Sequence, residues 1–139
     1  MGADAKLLLD GNGQIRRTTM ADKLLITLLT KLSNFVPNAG IWMNTLRPEW
    51  NDANNALVGY GASMVTLCYM RRYVAFLLSL FDTDVQVGAE TLDFLRAIRQ
   101  AYLNGNAKQF INIVGTAGER YRNAVYNGLS GETKTLERY

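Results

Sequence analysis

Residues 62–81, ASMVTLCYMRRYVAFLLSLF, decide the fold class of this chain. The run is long enough for a helix, and its apolar residues are not confined to one face of that helix. A surface helix carries one apolar stripe, whereas a helix that is apolar all round is buried on most sides. The stretch therefore predicts a helix over about residues 62–81 that is buried over most of its surface.

Three further helices are predicted around this one. The first begins at Thr19, whose hydroxyl can accept from free backbone N–H groups, and it carries Asp22 in its first turn. Two more run over about residues 89–103 and 107–126, and Asn106 can cap the second of them. The predicted fold class is therefore all-α, built from antiparallel helical hairpins.

The segments outside these helices have their own signals. Residues 6–17 predict a small N-terminal β-hairpin, because DGNG supplies the positive-φ positions that a tight turn needs. Residues 82–88 are predicted as a turn and residues 127–139 as a frayed tail. Residues 36–61 are irregular by composition, and a connection of that length in a compact domain is typical of a functional loop.

The central helix has too few predicted neighbours to bury it. Each Leu-sized or Phe-sized side chain left exposed forfeits about 1.5–3 kcal/mol of burial. Three helices do not surround a fourth that is apolar on every side. We therefore expect the chain to belong to a larger helical assembly, either an oligomer or a longer protein, of which residues 1–139 form a single helical segment.

The composition limits the chemistry that the chain can perform. It has 139 residues, no histidine and one cysteine, Cys68. Lack of histidine excludes the usual zinc sites, the Ser-His-Asp triad and the Cys-His dyad, so acid–base chemistry must come from Asp, Glu, Lys or Tyr. Cys68 lies in the apolar run and is interpreted as a small buried hydrophobic residue. We expect neither a metal nor a cofactor.

The charge pattern argues against two classes of partner. The net charge is +3, from 15 basic and 12 acidic residues, and the largest basic clusters are Arg16–Arg17 and Arg71–Arg72. Nucleic-acid binders concentrate basic charge in a stripe, which is not the pattern here. Arg71–Arg72 interrupt the apolar run, and guanidinium groups are costly at mid-bilayer, so no membrane span is predicted. No signal-peptide pattern is seen, and a cytoplasmic location is favoured with the compartment left open.

Residues 47–61, RPEWNDANNALVGYG, gather carboxylates, amides and an indole before the apolar helix. In one interpretation Asn51 or Asp52 caps a short helical turn and Trp50 packs at the edge of the core. In the other the segment binds a sugar, because an indole stacks on the apolar face of a sugar ring while amides and carboxylates bind its hydroxyls. A carboxyl group beside a glycosidic oxygen can also act as a general acid. The residues themselves leave both interpretations open.

The segment EWNDANNALVG, residues 49–59, resembles the DWNDGMN-x-VG segment of the cellobiose and chitobiose phosphorylases. Those enzymes belong to the six-hairpin, (α/α)₆-barrel glycosidase superfamily, in which this loop enters an inner barrel helix. The resemblance implies that the chain forms about two hairpins of an (α/α)₆ toroid within a larger catalytic domain. It also implies cleavage of glycosidic bonds in an oligosaccharide, such as a β-linked glucan, by water or inorganic phosphate in an inverting reaction.

The resemblance also assigns roles to individual residues. Asp52 corresponds to the general acid that protonates the leaving oxygen, and Trp50 to the tryptophan of the sugar subsite where cleavage occurs. Glu49 stands where the family has an aspartate and is the second candidate catalytic residue. The remaining candidate substrate-binding residues of the 36–61 loop carry amide, indole or guanidinium groups and are Asn51, Asn55, Trp42 and Arg47.

A non-catalytic alternative fits the same sequence. The chain is then a helical interaction or oligomerisation module, and residues 47–55 act only as a helix cap. In this alternative a partner or a second copy of the chain completes the burial of the apolar helix, instead of the remainder of a barrel.

The carbohydrate interpretation predicts that cello-oligosaccharides change the tryptophan fluorescence of a longer parent protein. Asp52→Asn is expected to abolish turnover and to spare binding, because it removes the general acid and leaves the indole in place. The 139-residue chain alone is expected to be inactive, since inversion needs a second group across the sugar ring. A flat fluorescence titration contradicts sugar binding, and glycan cleavage by the chain alone contradicts its predicted inactivity.

Overall fold

The computed structural model describes residues 7–9, 12–43, 61–103 and 106–138 of the chain. Within these ranges there are four helices: α1 (Met20–Leu32), α2 (Met64–Leu80), α3 (Ala89–Leu103) and α4 (Ala107–Asn127). The same ranges contain five strands: β1 (Phe35–Val36), β2 (Gly40–Met43), β3 (Gly61–Ser63), β4 (Val85–Gly88) and β5 (Thr133–Leu136).

The all-α prediction is wrong. The described residues are mostly helical, but they also form an antiparallel sheet of order β1-β2-β3 and a second antiparallel pair of β4 and β5. The second sheet joins two segments that the sequence predicts as a turn, residues 82–88, and a frayed tail, residues 127–139. Pairing with a distant strand stabilises such short strands, and the local pattern does not reveal it. The chain is a mixed fold, not two hairpins of a helical toroid.

The predicted caps of two helices are confirmed. Thr19 Oγ1 accepts from the backbone N–H of Asp22 at 3.1 Å at the start of α1. Asn106 Oδ1 accepts from two N–H groups of the first turn of α4, those of Lys108 at 3.0 Å and Gln109 at 3.2 Å. These bonds satisfy donors that have no partner inside the helix. The capping residues therefore fix where α1 and α4 begin.

Helix α4 continues through its glycines, and one of them has a packing role. A Cβ added at Gly118 would lie 2.8 Å from Ser33 Cβ, which is closer than such atoms approach in proteins. Glycine at this position therefore lets α4 approach the C-terminal end of α1. The helix loses some intrinsic stability at each glycine, but burial of its own Phe110 and Val114 in the core compensates.

The first sheet sets the starting point of α2. Strands β1 and β2 are joined by a tight turn in which Asn38 has a φ of 64°. Gly40 follows with a φ of 135°, and a Cβ there would lie 2.9 Å from the carbonyl oxygen of Ser63. Only glycine allows β2 to lie this close to β3, whose last residue caps α2. The described ends of the predicted loop, residues 36–61, are therefore strands.

The core consists of two clusters of buried residues, and α1 contributes to both. One cluster contains Leu25 and Leu28 of α1 and extends to β2, α2, β4 and Leu92 of α3. The other contains Leu29 of α1 with buried residues of α3 and α4, including Phe94 and Val114. Helix α1 therefore links the two clusters, and the buried residues of α2 belong to the first of them.

A buried carboxylate fastens α1 to the second sheet. Asp22 is 8% exposed, and its Oδ1 accepts from the backbone N–H of Gly88 at 2.9 Å. Its Oδ2 accepts from the hydroxyl of Thr18 at 2.7 Å. The cap residue Thr19 in turn donates to the carbonyl oxygen of Gln86 at 2.7 Å. The N-terminus of α1 is thus bonded to β4 through side chains of its first turn.

We predict that Asp22→Ala lowers the free energy of unfolding by about 1–3 kcal/mol, because it leaves the N–H of Gly88 without its acceptor. Chemical denaturation followed by circular dichroism measures the change. Asp93→Ala is the matched control: its carboxylate is exposed and forms a 3.7 Å ion pair with Arg96. Loss of an exposed pair is expected to cost at most about 1 kcal/mol. Equal effects of the two substitutions contradict the role of Asp22.

The segment before β5 is held by two side chains from other parts of the chain. Arg16 Nη1 donates to the carbonyl oxygen of Leu129 at 2.6 Å. Arg16 directly follows Ile15, which pairs with Leu9 in an isolated β-bridge. Glu90 Oε1 accepts from the backbone N–H of Ser130 at 2.7 Å. Burial opposes ionisation of Glu90, but the bonds from Ser130 and from its own N–H, together with the charge of Arg16, lower its pKa overall.

We predict that this lowered pKa makes the attachment of the β5 segment sensitive to acid. Glu90 stabilises the fold at any pH above its unfolded pKa of about 4.3, and the contribution is lost as pH falls through the lower folded pKa. Thermal unfolding at about pH 5 and about pH 3 should therefore show a smaller pH effect for Glu90→Gln than for the unsubstituted chain. Glu119→Gln, at an exposed ion pair with Arg122, is the control and should leave the pH effect unchanged.

Candidate functional site

Hydrogen bonds of Ser63 and Phe81 mark the two ends of helix α2. Ser63 Oγ accepts from the N–H of Thr66 at 3.1 Å and lies 2.8 Å from its hydroxyl oxygen, which caps the N-terminus. At the other end the N–H of Phe81 donates to the carbonyl oxygen of Leu77 at 2.9 Å. The polar residues at the start of the helix are therefore engaged in forming it.

Only a narrow line of α2 faces the interior. Met70 and Leu77 are its buried residues and belong to the first core cluster. They are seven residues apart, which is close to two helical turns, so they lie above one another. The described elements cover one side of the helix only, so they do not supply the burial that the apolar run predicts, as expected from its few predicted neighbours.

A tyrosine anchors this buried side to α1. The Tyr73 hydroxyl donates to the backbone carbonyl oxygen of Leu24 at 3.1 Å, and its ring stacks on Phe76 with centroids 6.3 Å apart. Burial raises the pKa of Tyr73, so the phenol stays protonated at neutral pH and keeps its donor. The bond fixes the rotation of α2 about its own axis and thereby determines which side chains face outward.

The outward side of α2 is apolar. Seven large apolar side chains of the helix are 36–71% exposed, and we call them the α2 surface: Met64, Val65, Tyr69, Val74, Phe76, Leu78 and Leu80. These side chains lie on two flanks of the helix, so each flank leaves on the order of 300–500 Å² of apolar area exposed. The largest patch on a typical monomer is about 300–600 Å² and is often functional, so each flank is a candidate contact surface.

Two arginines interrupt the α2 surface near the middle of the helix. Arg71 and Arg72 are exposed, and the guanidinium carbon of Arg72 lies 5.8 Å from the ring centroid of Tyr69. Neither forms an ion pair with an acidic residue in the described ranges. Their aliphatic stems can cover apolar neighbours while the charged ends stay in water.

Cys68 also lies on the outward side. The sequence interpretation of Cys68 as a buried hydrophobic residue is wrong, because the thiol is free and exposed. An apolar run does not by itself show which of its members face the core.

The residues predicted to bind sugar are only partly described. Trp42 lies on β2 opposite Ala62 of β3, and 44% of it is exposed. The other candidates lie outside the described residues: the candidate catalytic residues Asp52 and Glu49, and the candidate substrate-binding residues Trp50, Asn51, Asn55 and Arg47. The general acid and the sugar platform of the resemblance therefore remain predictions.

A groove lies between α3 and α4. This groove of about 530 Å³ is lined by Glu90, Asp93, Phe94, Ala97, Asn112, Ile113, Thr116, Ala117, Arg120, Tyr121 and Ala124. The rings of Phe94 and Tyr121 stack with centroids 5.5 Å apart, and burial raises the pKa of Tyr121. Both carboxylates already have partners, Glu90 with Ser130 and Asp93 with Arg96. The groove therefore offers no free carboxylate to orient a ligand.

The described ranges contain no cluster of three or more metal-ligating side chains. Among the helices described here, none combines the length and the apolarity that crossing a membrane requires. In comparisons with known proteins, no family model matches the chain and no curated protein matches it significantly. With seven exposed large apolar side chains, the α2 surface is the strongest candidate for a functional site in the described ranges.

Proposed function

We propose that this chain is a helical self-association module in which a second copy covers the α2 surface. The observation that carries the proposal is the exposure of seven large apolar side chains on one helix. They form two apolar flanks, each about as large as the largest apolar patch of a typical monomer, and such patches are often functional.

The amount of exposed area suits a second copy of the chain. Stable protein interfaces bury about 800 Å² on each partner, of which somewhat more than half is apolar, and one flank of α2 supplies about that apolar part. A second copy brings the same flank, so one contact removes both copies of it from water. Closed two-fold contacts of this kind are the commonest form of homo-oligomer.

The chemistry of the α2 surface favours binding over catalysis. The helix has no acidic residue and no histidine, and its only charged residues are Arg71 and Arg72. The hydroxyls of Ser63 and Thr66 contact each other at the cap, so they are not free to act on a substrate. The surface offers area and shape, which are the properties that association uses.

We predict that the chain dimerises in sedimentation equilibrium over a concentration series, and that a charge on the α2 surface weakens the dimer. Phe76→Asp and Leu78→Asp place a carboxylate on opposite flanks of α2, where the two side chains are 51% and 71% exposed. At least one of them should raise the dimer Kd on the order of 100-fold, because an interface core tolerates an unpaired charge poorly.

Leu103→Asp is the matched control, since Leu103 is 75% exposed at the end of α3, away from α2. Its Kd should stay within about threefold of the unsubstituted value. Far-ultraviolet circular dichroism and thermal unfolding verify that each variant is folded. A monomeric unsubstituted chain overturns the proposal. So does a dimer that neither α2 substitution weakens.

A further inference from the structure

Four of the exposed residues of α2 form a stripe along the helix. The intervals between them are the same when counted from either end of the stripe. Val65, Tyr69, Phe76 and Leu80 are separated by four, seven and four residues and are 45–67% exposed. At 3.6 residues per turn they fall within about 60° of arc on the helix. We call these four residues the α2 stripe.

From this symmetry we infer that two copies pack their α2 stripes antiparallel across a two-fold axis that passes between Arg72 and Tyr73. The inference rests on the proposed self-association and adds the partner's orientation and register. A two-fold contact brings the same patch of both subunits together, so residue i meets residue j and j meets i. In a parallel pair each residue meets its own copy whatever the spacing, whereas an antiparallel pair needs mirrored spacing for every apolar residue to meet another apolar residue.

In this register every member of the stripe meets an apolar side chain. Val65 lies opposite Leu80 of the second copy, and Tyr69 lies opposite Phe76 of the second copy. Each contact occurs twice because of the two-fold axis. The two Tyr–Phe pairs bring aromatic rings together on either side of the axis, and aromatic pairs are among the most favourable contacts of an interface core.

The other flank of α2 is less suitable for such a contact. Met64 and Leu78 are also equidistant from a residue near the middle of the helix, but that residue is Arg71. A two-fold axis there would place the two Arg71 side chains directly against each other, and like charges in contact oppose association. On the α2 stripe Arg72 lies at the edge of the contact, where its guanidinium group can reach water.

Cysteine cross-linking tests the register. In a Cys68→Ser background, Val65→Cys and Leu80→Cys chains are mixed and treated with a short bifunctional maleimide. The mixture should give a cross-linked dimer on the order of tenfold more than either variant alone, since equivalent positions lie about 22 Å apart along the antiparallel pair. A parallel pair gives the reverse, with each variant cross-linking to itself, and overturns the inference.

Substitution of Arg71 or Arg72 gives an independent test, because it leaves the four residues of the α2 stripe unchanged. A two-fold axis between antiparallel helices places both Arg72 side chains on the same edge of the contact, so their charges repel. Arg72→Gln should therefore lower the dimer Kd about three- to tenfold, whereas Arg71→Gln should leave it unchanged. Tightening by Arg71→Gln alone overturns the inference in favour of the other flank.

These outcomes separate the register from the proposed function. A chain that stays monomeric rejects self-association and the register together. A chain that dimerises and is weakened by a charge on α2, but does not cross-link between positions 65 and 80, rejects the register alone. Sedimentation equilibrium of each cysteine variant before cross-linking establishes that a missing product does not reflect a lost dimer.

Discussion

Helix α2 has apolar side chains on more than one side, but the described part of the chain buries only the line through Met70 and Leu77. Each Leu-sized or Phe-sized side chain left exposed forfeits about 1.5–3 kcal/mol of burial. That loss favours a contact that covers the helix.

Helix α2 packs on the rest of the described chain through one side. Leu25 and Leu28 contribute to the cluster with α2 and β2, while Leu29 packs with α3 and α4. The bond of Asp22 to Gly88 fastens α1 to the second sheet. The α3–α4 hairpin contributes Leu92 to the cluster that buries Met70 and Leu77 of α2. Within the described residues these contacts cover α2 on one side only.

Local signals in the sequence predict the helices. The differences between the predicted and the observed fold come from contacts between residues far apart in the sequence. Thr19 and Asn106 cap their helices through bonds to the next two or three residues, so the sequence nearby reveals them. Strand β5 pairs with β4 through residues such as Thr135 and Gln86, 49 positions apart, and no local pattern shows that. The apolar character of α2 was evident in the sequence. Which of its side chains face outward was not, because the Tyr73–Leu24 bond and the position of α1 decide it.

The arginines of α2 explain how a helix with two exposed apolar flanks can form a closed pair and not an open chain of copies. A helix that offers two equivalent apolar flanks can bind a neighbour on each, and contacts of that kind grow into filaments. Arg71 lies within one flank, where a second copy would have to bury its charge, while Arg72 lies at the rim of the other. Removal of a guanidinium group from water without an acidic partner is costly. In the proposed dimer the position of the charges therefore opposes growth through the Arg71 flank and favours association through the α2 stripe.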